Sequence, residues 1–325
     1  MKTDIMMRVP QKPMESRTSS PVLPWLLGGA AFLALFLAFL MHFREDANPA
    51  RQLSDKAGRV DVVARMQLGL ASASEAEKSA VLAITDKDSQ TFADQARAAT
   101  AAVERDHQEV SALLAASGTQ REKDLLAQFS ETFGHLKDLD EVVLDLAVKN
   151  TNLKAYGLLF GPAASKLAEM DAALARMVAR HEVSPGAQRV LPMAFGARLG
   201  MLRIQALLAP HIAEESDAKM DQMETAMAKE ESEVRKDLDG LTALAKSESD
   251  ADLATTRARF DRYQDLKTQI LSLSRQNTNV RSLALSLNQK RKGMAVCLDA
   301  LNALKLAILE EPITGVTYGR VAKPR

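Results

Sequence analysis

Apolar residues recur along this chain at helical spacing, and two stretches carry the pattern without a slip. Leu136, Leu139, Val143, Leu146, Asn150, Leu153, Gly157 and Phe160 follow a 3,4,3,4 spacing. Tyr263, Leu266, Ile270, Leu273, Asn277, Val280, Ala284 and Leu287 repeat it further on. Each series reads as a heptad seam facing partner helices. No proline occurs between Pro49 and Pro162 or between Pro210 and Pro312, and both intervals are filled with strong helix formers. The pattern predicts an all-α fold of long helices.

The breaks between these helices are chemically legible. In "LAASGTQRE", Gly118 ends one helix and Thr119 with Glu122 forms a capping box for the next. Softer turns are predicted at 85–90 and 213–218. "FGPAA" at 160–164 reads as a Gly-Pro turn that opens a new helix at Pro162. Pro210 is expected to kink or split its helix. "EVSPGAQ" at 182–188 is the strongest interruption and the expected module boundary.

Both seams contain the same awkward tripeptide, Asn-Thr-Asn, at 150–152 and 277–279. Asn and Thr compete for the backbone and are poor helix formers. The surrounding segments are copies: with an offset of 127, residues 126–158 match 253–285 at eleven positions, including the whole triplet, where roughly three matches would arise by chance. Each copy then holds about four helical segments. The expected organisation is a tail at 1–20, a transmembrane anchor at 21–43, a four-helix up-down bundle at 44–184, a second at 187–311 and a tail at 312–325.

The anchor is read from "PVLPWLLGGAAFLALFLAFLM", 21 uncharged residues that would rise about 30 Å as a helix, the thickness of a bilayer core. No small-x-small cleavage site follows in "LMHFRED", so an uncleaved span is expected. Four basic residues flank it on each side, and the acidic turn at Glu45 and Asp46 tips the orientation toward a cytoplasmic N-terminal tail. That places a single-pass protein in the inner membrane with its bundles on the periplasmic side.

Composition narrows the chemistry. With 42 basic and 42 acidic side chains and 4% aromatic residues, nothing suggests a nucleic-acid surface. The single cysteine, Cys297, excludes an intramolecular disulfide and CxxC sites, and its apolar setting suggests a small core residue. A di-iron bundle needs two Glu-x-x-His motifs, and only Glu104 with His107 has that spacing. No P-loop, HExxH or nucleophile elbow is present, so no enzyme activity, cofactor or metal is expected.

The runs "NTNLKAYGLLFGPAASKLAEMDAALARM" at 150–177 and "NTNVRSLALSLNQKRKGMAVCLDALNAL" at 277–304, behind a membrane anchor, resemble the four-helix-bundle sensor domain of methyl-accepting chemotaxis receptors. The resemblance implies an extracytoplasmic bundle that forms homodimers and binds small molecules or another receptor or signalling protein. The 325 residues contain no run matching a HAMP domain or signalling coiled coil, so output is expected to come through a partner. The alternative is a structural or scaffold protein that dimerises at the membrane. Candidate ligand contacts are Asn150, Asn152, Asn277 and Asn279, with Arg275 and Arg281 as forked donors for a carboxylate. Against that stands a register role for the seam positions Asn150 and Asn277. Asn279, about 200° around the helix from Asn277, is expected outside the seam.

Overall fold

A computed structural model describes Leu33, Leu35, Phe36 and residues 48–181, 186–244 and 251–314. The predicted span at 21–43 lies outside the described residues apart from those three positions, as do the tail 1–20 and residues 315–325. Among the described residues no helix is long and apolar enough to cross a membrane.

The described chain is all-α. Its helices are α1 (Pro49–Leu82), α2 (Asp86–Ser117), α3 (Gln120–Ala147), α4 (Thr151–Leu158), α5 (Ala164–His181), α6 (Ala187–Ala213), α7 (Asp217–Leu244), α8 (Ala251–Gln276), α9 (Thr278–Leu285) and α10 (Arg291–Glu310). Two single π-turns, Leu159–Ala163 and Ser286–Lys290, join α4 to α5 and α9 to α10. Residues 59–310 form one compact unit. In a second unit made from the two ends, Gln52 and Thr314 bond reciprocally, with Nε2 donating to Oγ1 at 2.5 Å and the Thr314 N–H donating to Oε1 at 2.9 Å.

The predicted caps form as read. Thr119 Oγ1 accepts from the Glu122 N–H, and Glu122 Oε2 accepts from the Thr119 N–H at 2.9 Å. Gly118 fits the preceding helix end because a Cβ there would lie 2.7 Å from the Leu114 carbonyl oxygen. The turns at 85–90 and 213–218 appear as the α1–α2 and α6–α7 connections, with Thr85 as N-cap of α2. Pro210 does not split α6, which runs unbroken from Ala187 through Pro192 and Pro210 to Ala213. A proline so near the C-terminus gives up one helical hydrogen bond in a turn that is already ending.

The Gly-Pro turn at 160–164 is not a break either. Pro162 sits inside the first π-turn, which carries the helix through. The second π-turn lies 127 residues later and has no proline, so the wide turn belongs to the architecture rather than to Pro162.

The continuous heptad seams do not exist. Asn150 (φ 50°) and Asn277 (φ 53°) adopt the left-handed conformation and end α3 and α8. That residue resets the helical phase. Past the triplet at 150–152 the next buried positions are Ala155, Leu159 and Ala163, whereas Phe160, assigned to the seam, is 66% exposed. Past the triplet at 277–279 they are Ser282, Ser286 and Lys290, and Leu287 is exposed.

Packing also departs from a division into 44–184 and 187–311. One apolar core draws Val63, Met66 and Leu70 from α1, Val103 and Val110 from α2, Phe129 and Phe133 from α3, and Cys297, Leu301 and Leu304 from α10. Another takes Met170 and Leu174 from α5, Ile204 and Leu208 from α6, Met227 and Val234 from α7, and Phe260 and Ile270 from α8. α3 therefore packs on α10 and α5 on α8, so each core is completed by the last helix of the other sequence copy. The exchange follows from the breaks at Asn150 and Asn277, where the two long broken helices meet.

Candidate functional site

The two triplets, 127 residues apart in sequence, meet in space. Thr151 and Thr278 face each other with hydroxyl oxygens 3.2 Å apart. The Thr151 N–H donates to Thr278 Oγ1 at 3.2 Å, and the Thr278 N–H donates to Thr151 Oγ1 at 3.1 Å. One position on, the Asn152 N–H donates to Asn279 Oδ1 at 3.2 Å and the Asn279 N–H to Asn152 Oδ1 at 3.1 Å. The diagonal bonds match too: Asn152 Nδ2 donates to Asn277 Oδ1 at 2.8 Å, and Asn279 Nδ2 to Asn150 Oδ1 at 2.9 Å.

The triplet is therefore the N-terminal turn of a restarting helix, and each copy's side chains cap the other copy's restart. The orphan N–H groups of α4 and α9 are satisfied reciprocally. A left-handed residue must precede each restart, and Asn is the non-glycine residue best suited to it.

The remaining capacity goes outward to two helix ends. Asn277 Nδ2 donates to the Glu214 carbonyl at 2.7 Å and Asn152 Nδ2 to the Ile212 carbonyl at 2.6 Å, both at the end of α6. Asn150 Nδ2 donates to Asp86 Oδ1 at 3.0 Å at the start of α2. That bond, followed by Lys154, holds the Asp86 carboxyl below the usual carboxylate range. Asn150, Thr151, Asn152, Asn277 and Thr278 are buried. Asn279 is half-buried and engaged, so it does not occupy the solvent face expected of it.

Arg275 and Arg281 are not aimed into the crossing. Arg275 Nε donates to Glu224 Oε1 at 2.7 Å, and its Nη2 pairs with Asp221. These bonds keep Arg275 firmly protonated and hold Glu224 below its ordinary value. Arg281 is exposed, 3.8 Å from Asp217.

Sequence reasoning missed two polar clusters. His211, fully buried at the end of α6, places Nδ1 2.8 Å from Ser274 Oγ and Nε2 2.9 Å from Glu224 Oε1. Burial pulls its pKa below 6.5, against the pull of Glu224. The order Ser–His–carboxylate has the shape of a nucleophile relay, but Ser274 and His211 are 0% exposed, so no substrate carbonyl could reach the hydroxyl. Ser274 Oγ–H instead donates to the His211 carbonyl at 3.0 Å, capping α6.

The second cluster joins three buried charges. Lys290 Nζ lies 3.0 Å from Glu77 Oε2 and donates to Asp140 Oδ1. Thr100 Oγ1 also donates to Asp140, at 3.3 Å. Asp140 and Lys290 line a cavity of about 10 Å³, room for one water, together with Phe133, Leu136 and Met294. The available signal was the phase reset: once it is placed at Asn277, Ser282, Ser286 and Lys290 fall on one inward face.

Among the described residues no group of three or more His, Cys, Asp or Glu could hold a metal ion. Glu104 bonds Lys137 at 2.7 Å and His107 Nε2 lies 2.7 Å from Ser130 Oγ, so the one Glu-x-x-His pair is engaged elsewhere. No family model matches the chain, and neither does any curated protein.

Proposed function

We propose that this chain is a membrane-anchored, extracytoplasmic protein of the chemoreceptor-sensor type, built as two four-helix bundles with an exchanged helix, that recognises a protein partner rather than an enclosed small molecule. The observation that carries the reading is the closure of the triplet crossing. The side chains best suited to hold a ligand spend their hydrogen bonds on each other and on the ends of α6 and α2. A ligand entering there would have to break bonds already made in a buried setting. The outer face of α6 is different. Phe195, Leu199 and Leu202, at helical spacing, are each about half exposed.

A scaffold role is the second reading, favoured by the reciprocal bonds that commit the candidate Asn side chains to holding the two helix restarts together. The test uses the full chain. Thermal unfolding in detergent should not respond to amino acids, organic acids or aromatic acids, since only a molecule that binds the folded state stabilises it. A photo-crosslinking residue at Leu199, in membranes of the producing cell, should yield a discrete adduct with a different polypeptide. Stabilisation by a small molecule would refute the protein-partner reading, and absence of any adduct would leave the scaffold role in its place.

A further inference from the structure

Every bond between the two triplets has a mate obtained by exchanging the two copies: Thr151 with Thr278, Asn152 with Asn279, and the two diagonal pairs. The helix pairs exchange in the same way, since α3 on α10 becomes α8 on α5, and α4 on α8 becomes α9 on α3. This reciprocity is the signature of an isologous contact, in which one surface patch meets a second copy of itself. From it we infer that the molecule is a tethered pseudo-dimer: each copy presents a docking surface whose partner is a second such copy, and the cluster of Lys290 with Asp140 and Glu77 dictates that first copy pairs with second.

The core shows why neither copy suffices alone. Without α10, Phe129 and Phe133 of α3 would lose the cover of Cys297, Leu301 and Leu304. Without α5, Phe260 and Ile270 of α8 would lose Met170 and Leu174.

The charges show why the pairing is selective. At the 127-residue offset, Asp140 corresponds to Lys267 and Lys290 to Ala163. The native assembly brings Lys290 to Asp140 and Glu77, while Lys267, at the equivalent place in the other core, pairs with Glu231. Two second copies would bring Lys290 against Lys267, a like-charge contact in a buried site. Two first copies would set Ala163 beside Asp140 and Glu77, leaving both carboxylates without their lysine. Both wrong pairings are penalised, which is specificity by repulsion and by desolvated, unpaired charge.

The test splits the full chain within 182–185 into two polypeptides, each with its own affinity tag, expressed together with a second, differently tagged version of each half. Capture on the first half should recover the second half in at least tenfold excess over another first half, and capture on the second half should mirror that. Lys290→Ala in the second half puts there the residue type that its equivalent, Ala163, has in the first copy and removes the like charge from a second-copy pair, so self-pairing of that half should rise at least tenfold. Asp140→Lys should weaken the hetero-pair and Lys290→Asp in the other half should restore it. A parallel measurement guards against halves that fail to fold when made separately. The intact chain, carrying a protease site at 182–185 and cut after purification in detergent, should elute as one species. Halves that part after cutting would overturn the pseudo-dimer, and self-pairs as abundant as hetero-pairs, or no response to Lys290→Ala, would overturn the charge rule.

Discussion

Replacing Asn277 separates a seam from a capped restart. In an uninterrupted seam, Asn277→Leu exchanges a polar group for buried apolar area and stabilises by about 1–2 kcal/mol. In the structure Asn277 is 1% exposed at φ 53°, accepts from Asn152 Nδ2 and donates to the Glu214 carbonyl. Asn277→Gly tolerates the backbone but loses both bonds, about 1 kcal/mol each, for a loss of about 2 kcal/mol. Asn277→Ala loses the same bonds and also the tolerance of Asn for the left-handed region, up to about 1 kcal/mol more, about 2–3 kcal/mol in all. Asn277→Leu adds crowding among polar groups and should lose at least about 4 kcal/mol. Asn150→Gly should be milder, about 1 kcal/mol, because its outward partner is an exposed carboxylate that water can solvate. Urea unfolding of the full chain in detergent, followed by far-ultraviolet circular dichroism, ranks the four variants. Equal losses for Gly and Ala, or a more stable Leu variant, would refute the left-handed capped restart.

Lys290→Met should destabilise by about 3–5 kcal/mol, since it leaves Glu77 and Asp140 buried without a counter-charge, and adding Glu77→Gln and Asp140→Asn should recover most of the loss in the same urea assay. His211 has its folded pKa depressed by burial, so its contribution is fully present above the unfolded value near 6.5 and is lost as pH falls through the lower folded pKa. His211→Gln should flatten the stability profile over that window, and an unchanged slope would assign the dependence to other groups. Cys297, buried with its thiol pKa raised by that burial, should react with Ellman's reagent only at the unfolding rate, against a fast reaction if the core opens locally. With Cys297→Ser as background, a cysteine at exposed Ser117 should label with a membrane-impermeant reagent in intact cells, and labelling only after lysis would place the helices in the cytoplasm.

Much of the local structure was legible because it rests on local chemistry. The capping box at Thr119 and Glu122, the connections near 85–90 and 213–218, and the burial of Cys297 follow from residues within a turn or two. The duplication was legible as well, from the offset of 127. The phase reset was not, because a single left-handed residue interrupts a 3,4 pattern without altering its spacing in sequence. Asn150 and Asn277 keep the seam's spacing, and only their poor helix propensity and their tolerance for positive φ hinted otherwise. The exchange of α5 and α10 was hidden for a related reason: copies alike in pattern can fill each other's core as well as their own. The four candidate Asn residues come together in the structure, bonded to one another. Their partners were invisible, since a hydrogen bond across 127 residues leaves no trace in spacing.

The claim on which the rest depends is that the two triplets face each other, and a paired cysteine substitution reads it directly. Thr151→Cys with Thr278→Cys, in a Cys297→Ser background, should close to an intramolecular disulfide under mild oxidation. It should appear as a single crosslinked peptide pair by mass spectrometry, and in high yield at low protein concentration. Two free thiols after oxidation, or crosslinks found only between chains, would contradict the crossing.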